Sequence, residues 1–168
     1  MNICDLNPFY LASLVVFLLP ALATVRFPNI IRTTKAGATT AIGQIADWAK
    51  WMAAIQTTTL GGFSVLLFKD HSHGLGHLSY CEKFLSITGL FCLGSAIFIS
   101  AWILGAIPSL TMRVQGRDGE GPDERFDIYE QRLFARIDRP KFGYALSLNH
   151  WYWGTGLAAV GLYVCAQY

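Results

Sequence analysis

Four long runs of hydrophobic residues alternate with polar connections along this chain of 168 residues. Each run has close to the ~20 residues with which a helix crosses about 30 Å of hydrocarbon. The pattern therefore predicts an all-α integral membrane protein, a four-transmembrane-helix bundle that forms one domain over residues 1–168. The predicted spans cover residues 8–25, 48–68, 84–107 and 144–166.

The composition also favours a membrane protein. Hydrophobic residues make up 53% of the chain and charged residues only 14%, whereas a soluble domain has about 25% charged residues. The net charge of +2 is too small to favour nucleic acid as the main partner. We therefore expect the partners to be membrane lipids, some of them bound, and other membrane protein subunits or a second copy of this chain.

The first run could instead be a secretory signal peptide, because Ala21-Leu22-Ala23 resembles the small-residue cleavage site of such peptides. A signal peptide begins with basic residues, yet the positions before this run contain no Lys or Arg. We therefore expect residues 8–25 to be retained as the first span.

The second helix is predicted to extend beyond the membrane on its cytoplasmic side. Ile42, Ile45, Ala49 and Met52 recur at helical spacing. One helix over residues 38–68 is therefore favoured, although two glycines in the extension would also suit a loop. Pro108 is expected to end or bend the third span near the cytoplasmic boundary.

A second cytoplasmic element is predicted in the third connection. Four apolar side chains fall on one stripe of an amphipathic helix over residues 123–138. Such a stripe needs cover from the extended second helix, from a partner subunit or from lipid headgroups, and packing within this chain is favoured. The stripe consists of Phe126, Tyr129, Leu133 and Ile137.

Pairs of small residues four positions apart recur in the last three spans. In lipid, such pairs let two helices approach closely. They are predicted to lie at helix crossings, within this bundle rather than at a dedicated dimer interface. The pairs are Thr57/Gly61, Thr58/Gly62, Ala101/Gly105 and Gly154/Ala158.

Candidate chemistry inside the membrane is sparse. The deep parts of the four runs contain no Asp, Glu, Lys, Arg or His, the residues that usually mark intramembrane ion pathways. The most polar deep groups are Gln56, Thr57, Thr58 and Thr59. They could line a pore formed by several copies, although threonines that bond back to their own helix are the favoured interpretation.

Three histidines before the third span are the candidate metal ligands. His71, His73 and His77 could bind zinc or copper through neutral imidazole, but their spacing matches no specific metal site. We expect a solvated, metal-free loop and no cofactor. The four cysteines form no closely spaced pair, so redox catalysis is not predicted, and a Cys4–Cys81 disulfide stays open for an oxidising exterior.

These observations favour a non-enzymatic multi-pass membrane protein, either an accessory or anchoring subunit of a membrane complex or a homo-oligomer. One alternative is an oligomeric channel or membrane-permeabilising effector lined by the Gln/Thr-rich second span. A second alternative is a metal-handling protein that uses the extracytoplasmic histidine loop.

Lys and Arg positions predict the orientation, because cytoplasmic connections carry an excess of both. Eleven of the 13 Lys and Arg residues lie in or beside the first and third connections. We therefore expect these connections in the cytoplasm, the protein in the cell (inner or plasma) membrane, and both termini and the histidine loop outside.

A cysteine-accessibility scan tests this orientation. An impermeant maleimide should label Ser72→Cys in intact cells and should label Gly119→Cys only after permeabilisation. Labelling of Gly119→Cys from outside would contradict the topology.

Overall fold

The computed structural model describes residues 33–70, 79–115, 127–129, 131–134 and 137–167. This part of the chain contains three helices and one two-stranded antiparallel hairpin. In chain order the elements are α1 Lys35–Asp70, α2 Tyr80–Gln115, β1 Arg132–Phe134, β2 Ile137–Lys141 and α3 Phe142–Gln167.

Each of the last three hydrophobic runs lies within one helix. The second run lies in α1, which begins at Lys35 and so confirms the predicted extension of this helix below residue 48. α2 contains the third run and continues through Pro108 to Gln115, so the helix does not end at this proline, and the alternative of a bend there stays a prediction. Helices α1, through Phe68, and α2 are long and apolar enough to cross a membrane. The first predicted span, residues 8–25, lies outside the described residues, so a bundle of four is not observed.

α2 is the central helix, and both α1 and α3 pack against it. The buried positions of α3 recur at alternating intervals of three and four residues, which keeps one face in contact with a neighbour along the whole helix. These positions are Phe142, Ala145, Asn149, Tyr152, Gly156, Ala159 and Tyr163. α1 follows the same repeat at Ala38, Ile42, Ala49, Met52, Gln56 and Phe63, with the half-buried Ile45 and Thr59 in its two intervals of seven residues.

Two glycines allow close approach in the core. A Cβ added to Gly156 of α3 would lie 2.9 Å from Leu93 Cγ and 3.1 Å from the Leu93 backbone nitrogen of α2. A Cβ added to Gly89 would lie 3.0 Å from the Phe63 ring. Neither glycine belongs to a pair of small residues four positions apart, so the spacing pattern in the sequence did not indicate it.

The prediction of an amphipathic helix over residues 123–138 is wrong. Residues 132–134 and 137–141 are instead the strands of the hairpin, with Arg132 opposite Lys141 and Phe134 opposite Ile137. Asp127 Oδ1 accepts a hydrogen bond from the Tyr129 backbone N–H at 3.0 Å, a local turn that competes with helix. Pro140 also favours extended backbone before it.

Backbone carbonyls just before the hairpin accept hydrogen bonds from the first N–H groups of α3. The first N–H groups of a helix have no partner within it. Here the N–H of Phe142 donates to the Gln131 carbonyl at 2.8 Å, and the N–H of Gly143 donates to the Tyr129 carbonyl at 3.0 Å. Ile128 is buried in the main core cluster with Phe142. The described part of this segment is therefore packed against the helices as turn and strand.

Tyr129 is the only residue of the predicted apolar stripe whose side chain is described. It is half-buried and packs against Gly143, where an added Cβ would lie 3.0 Å from Tyr129 Cβ. Phe126 and the side chains of Leu133 and Ile137 lie outside the described part of the chain.

A pair of glycines two residues apart in α3 tests this packing. Gly156→Ala should destabilise the protein relative to Gly154→Ala by about 1–3 kcal/mol, because it forces Leu93 and α2 away, whereas Gly154 has no described neighbour within 4 Å of an added Cβ. Both changes add the same methyl group to a helix, so their difference isolates packing. Thermal unfolding in mild detergent measures it, and equal stability of the two variants would contradict the assigned contact.

Candidate functional site

One buried polar side chain from each helix meets at the centre of the unit. Gln56 of α1, Ser100 of α2 and Asn149 of α3 each have 0% of their surface exposed. We call these three residues the amide–hydroxyl cluster. Their neighbours on the same helix faces are apolar, among them Met52, Ile103 and Tyr152.

The cluster is a closed ring of hydrogen bonds. Ser100 Oγ donates to Gln56 Oε1 at 2.9 Å. Gln56 Nε2 donates to Asn149 Oδ1 at 3.0 Å, and Asn149 Nδ2 donates to Ser100 Oγ at 2.7 Å. Asn149 Nδ2 also donates to the Ala96 carbonyl at 2.8 Å, so both of its N–H groups are used.

The ring fixes the orientation of both amides. If Asn149 were turned over, its oxygen would face the Ala96 carbonyl and its amino group would face the amino group of Gln56, and two attractive contacts would become repulsive. The assignment of oxygen and nitrogen therefore follows from the hydrogen-bond network. Satisfied amides of this kind can be buried in apolar surroundings, whereas an unpaired one would cost about 1–3 kcal/mol.

Two aromatic contacts join α1 to α3 on either side of the cluster. Trp48 stacks on His150 with ring centroids 5.0 Å apart and planes 19° apart. Phe63 meets Tyr163 edge-on at 5.5 Å. His150 Nδ1 lies 2.8 Å from the Leu146 carbonyl, which can only accept, so this nitrogen carries the proton. The outer helices thus meet in three layers, with the polar one in the middle.

The side chains of the amide–hydroxyl cluster suit a structural role, which is to fix how the three helices pack together. The cluster contains no titratable group, and its hydroxyl has no neighbouring base to activate it, so general acid–base or nucleophilic catalysis lacks its usual participants here. The described residues hold no group of three His, Cys, Asp or Glu side chains that could bind a metal. His71, His73 and His77 lie outside the described residues.

The threonines next to Gln56 are separate from the cluster. The hydroxyls of Thr57, Thr58 and Thr59 donate to the carbonyls four residues earlier, at 2.8, 2.9 and 2.8 Å. Thr57 and Thr58 are exposed and Thr59 is half-buried, whereas Gln56 faces the core. The four residues proposed as a pore lining therefore do not share one face, and Gln56 faces its own chain's interior.

All eight residues of the predicted small-residue pairs lie on the outside, which corrects their assignment to crossings among these helices. Thr57, Gly61, Thr58, Gly62, Ala101, Gly105, Gly154 and Ala158 are exposed. A Cβ added to Gly61, Gly62, Gly105 or Gly154 meets no atom of the described residues within 4 Å. Pair spacing shows that a face is small, but not which way the face points, so a close crossing of these faces with a further span stays a prediction.

Large apolar side chains also lie on the outside. Trp51 is 72% exposed, Phe68 80% and Met112 73%. Val65, Phe91, Phe98 and Leu162 are more than half exposed as well. The unit thus buries two amides within an otherwise apolar core and exposes many of its bulkiest apolar side chains, whereas exposed apolar surface of this extent in a soluble protein usually marks an interaction site.

Basic side chains gather at the hairpin end. Lys35 Nζ, at the start of α1, donates to the Gln115 carbonyl at the end of α2 at 3.1 Å. Arg113 Nη1 donates to the Arg132 carbonyl of the hairpin at 3.1 Å. Cations at a helix C-terminus are favourable, so Lys35 and Arg113 stabilise the end of α2.

Sequence reasoning missed Asn149 and did not connect Ser100 with Gln56. The sequence signal was weak, because each of the three apolar runs carries several side chains that can both donate and accept a hydrogen bond. No protein-family model, curated protein or solved structure matches the chain.

Two glutamines on α1 test the cluster. Gln56→Leu should destabilise the protein by about 1–2 kcal/mol, because it removes the donor to the Asn149 oxygen and the acceptor of the Ser100 O–H. Gln44→Leu is the matched control, because Gln44 is exposed on the same helix. The free energy of unfolding in detergent measures both, and a double change with Asn149→Leu should cost less than the sum of the single changes. Additive costs would show that the two amides do not interact.

Proposed function

We propose that the protein is a non-enzymatic, multi-pass membrane protein with four spans, which acts as an accessory or anchoring subunit of a membrane complex or assembles with itself. The observation that carries the proposal is the set of large apolar side chains that all three described helices expose. A buried ring of amides and an apolar exterior with open small-residue faces suit a protein surrounded by lipid and by other helices.

The dimensions of α1 support this placement. Its residues 51–68 carry no charge and span about 27 Å at 1.5 Å per residue, close to the hydrocarbon thickness. Asp47 and Lys50 form a solvent-facing ion pair at 3.2 Å just before this stretch, where the interface would begin. The part of α1 before Lys50 would then project into the cytoplasm.

The positions of basic residues support the proposed orientation. Lys35, Arg113, Arg132 and Lys141 all belong to the hairpin end of the unit. This end would face the cytoplasm of the cell (inner or plasma) membrane, and the end with Cys81 and Cys165 would face outside with both termini.

Assembly is proposed because small exposed faces are present on every described helix. Without a hydrophobic driving force, helices in lipid associate through close packing, which small residues permit. Gly105 and Ala101 on α2, and Gly154 and Ala158 on α3, offer such surfaces to another subunit or a second copy. Bound lipid would cover the remaining exterior.

Native mass in mild detergent tests the proposal. The chain should resist alkaline extraction from membranes and should run as a complex or oligomer of defined mass. Gly105→Leu should reduce this mass toward that of the single chain, because a bulky residue blocks close approach. Met112→Leu is the control, since it replaces one exposed large apolar residue of α2 by another seven positions away.

Three outcomes would contradict the proposal. A chain that leaves the membrane in alkaline buffer is not an integral membrane protein. An ion conductance in liposomes that Thr57→Val/Thr58→Val abolishes would establish the channel instead. Stoichiometric zinc or copper that His71→Ala/His73→Ala removes would establish metal handling.

A further inference from the structure

Two hydroxyl groups in the first turns of α2 are buried without a hydrogen-bond partner. Ser86 is 2% exposed and Thr88 is 3% exposed. Ser86 Oγ and Thr88 Oγ1 form no hydrogen bond with any described residue. We call these two groups the unpaired hydroxyls. Because burying a hydroxyl without a partner is costly, each of these positions favours a polar ligand.

Most other hydroxyls of the helices form a hydrogen bond within their own helix. Eight of them are Thr39, Thr40, Thr57, Thr58, Thr59, Ser64, Ser109 and Thr111. Each donates to a carbonyl three or four residues earlier, which is the usual arrangement for Ser and Thr in a helix with apolar surroundings. Ser100 instead has partners on the other two helices. The unpaired hydroxyls have neither kind of partner.

The surroundings of the unpaired hydroxyls are mostly hydrocarbon and closely packed. The core cluster at this end of the unit consists of Phe63, Leu67, Leu85, Ala159 and Tyr163. Tyr163 is the one member of this cluster with a polar group in its side chain. An added Cβ at Gly89, the residue after Thr88, would lie 3.0 Å from Phe63 Cε1. A ligand of the unpaired hydroxyls must therefore be small.

We propose that the unpaired hydroxyls bind internal water, one molecule at Ser86 and one at Thr88. Water is the smallest ligand that can both donate and accept a hydrogen bond, as a hydroxyl group can. An internal water needs about two to four polar partners. The second partner is the carbonyl one turn earlier in α2, of Glu82 or Phe84, because a carbonyl oxygen that accepts a helical N–H has another lone pair.

Water can reach these positions from the end of the unit that lies opposite the hairpin. α2 begins at Tyr80, so Ser86 lies about 9 Å from its start at 1.5 Å per residue. Glu82 and Lys83, between these two positions, are half-buried and add polar groups along the way. The inference does not depend on the proposed function, because the unpaired hydroxyls are buried whether lipid or water surrounds the unit.

Water at these positions has a different effect on packing from the amide–hydroxyl cluster. A water that bridges a hydroxyl to its own helix satisfies both groups without joining α2 to α1 or α3. The amide–hydroxyl cluster joins all three helices directly. The polar groups of the core are thus satisfied directly at the centre of the unit and through water near the start of α2.

Radiolytic footprinting of the full chain in mild detergent tests the proposal. X-rays convert bound water as well as bulk water into hydroxyl radicals, so a buried side chain is oxidised when water lies beside it. Phe63 and Phe142 are matched reporters, because their exposed fractions are only 2% and 0%. Phe63 lies beside Gly89, close to Thr88, whereas Phe142 lies at the hairpin end. We expect Phe63 to be oxidised at least about fivefold faster than Phe142.

Equal oxidation of the two rings would overturn the proposal, because it would show that no water lies near Phe63. The unpaired hydroxyls would then turn back to the carbonyls of their own helix, as the other hydroxyls do. This comparison uses the unaltered protein, so it does not depend on whether a variant folds.

Variants that remove the hydroxyls then identify the site. The double change Ser86→Ala/Thr88→Val should lower the oxidation of Phe63 to that of Phe142, because Ala and Val have no polar group to hold water. Thr58→Val is the control, since the Thr58 hydroxyl donates to its own helix, and it should leave the oxidation of Phe63 unchanged. Thermal unfolding shows that each variant is folded. Unchanged oxidation of Phe63 in the folded double variant would overturn the assignment of water to these hydroxyls.

Discussion

The hydrogen-bonded ring of Gln56, Ser100 and Asn149 is the interaction on which the pairing of the three helices depends. In an apolar environment, apolar faces can slide past or rotate about one another at little cost, because every face is equally compatible with the surroundings. A ring with one member on each helix is satisfied in one register alone, and a shift of one turn would leave buried amides unpaired. The ring thus specifies which faces meet and at what height.

The rest of the packing follows from that register. With Asn149 beside Ala96 and Ser100, Gly156 comes to lie against Leu93, two turns along the antiparallel pair of α2 and α3. With Gln56 beside Asn149, Trp48 reaches His150 on one side and Phe63 reaches Tyr163 on the other. The residues just before the hairpin complete the unit, because the carbonyls of Tyr129 and Gln131 accept hydrogen bonds from the first N–H groups of α3.

Sequence reasoning succeeded where length and hydropathy decide the outcome. It gave the positions of the three described runs and the continuation of α1 below residue 48, because helical spacing of apolar residues is a local property. It failed at residues 132–141, where an Asx turn at Asp127, the proline at 140 and the needs of the α3 N-terminus outweighed a helical stripe. It could not orient the small-residue faces, since direction depends on which polar groups pair across helices. Of the cluster, only Gln56 could be identified from the sequence, because its partners on α2 and α3 can be recognised only once the helices are aligned.

The central claim is that the apolar exterior of the described unit faces lipid or other membrane helices rather than water. Spin labels at Val65, Phe98 and Leu157, one exposed position on each helix, measure this directly through collisions with oxygen, which partitions into lipid, and with a water-soluble nickel chelate. The account predicts that all three labels in native membranes relax faster with oxygen than with the chelate, or are shielded from both where another helix covers them. Preferential relaxation by the nickel chelate at these positions would contradict it.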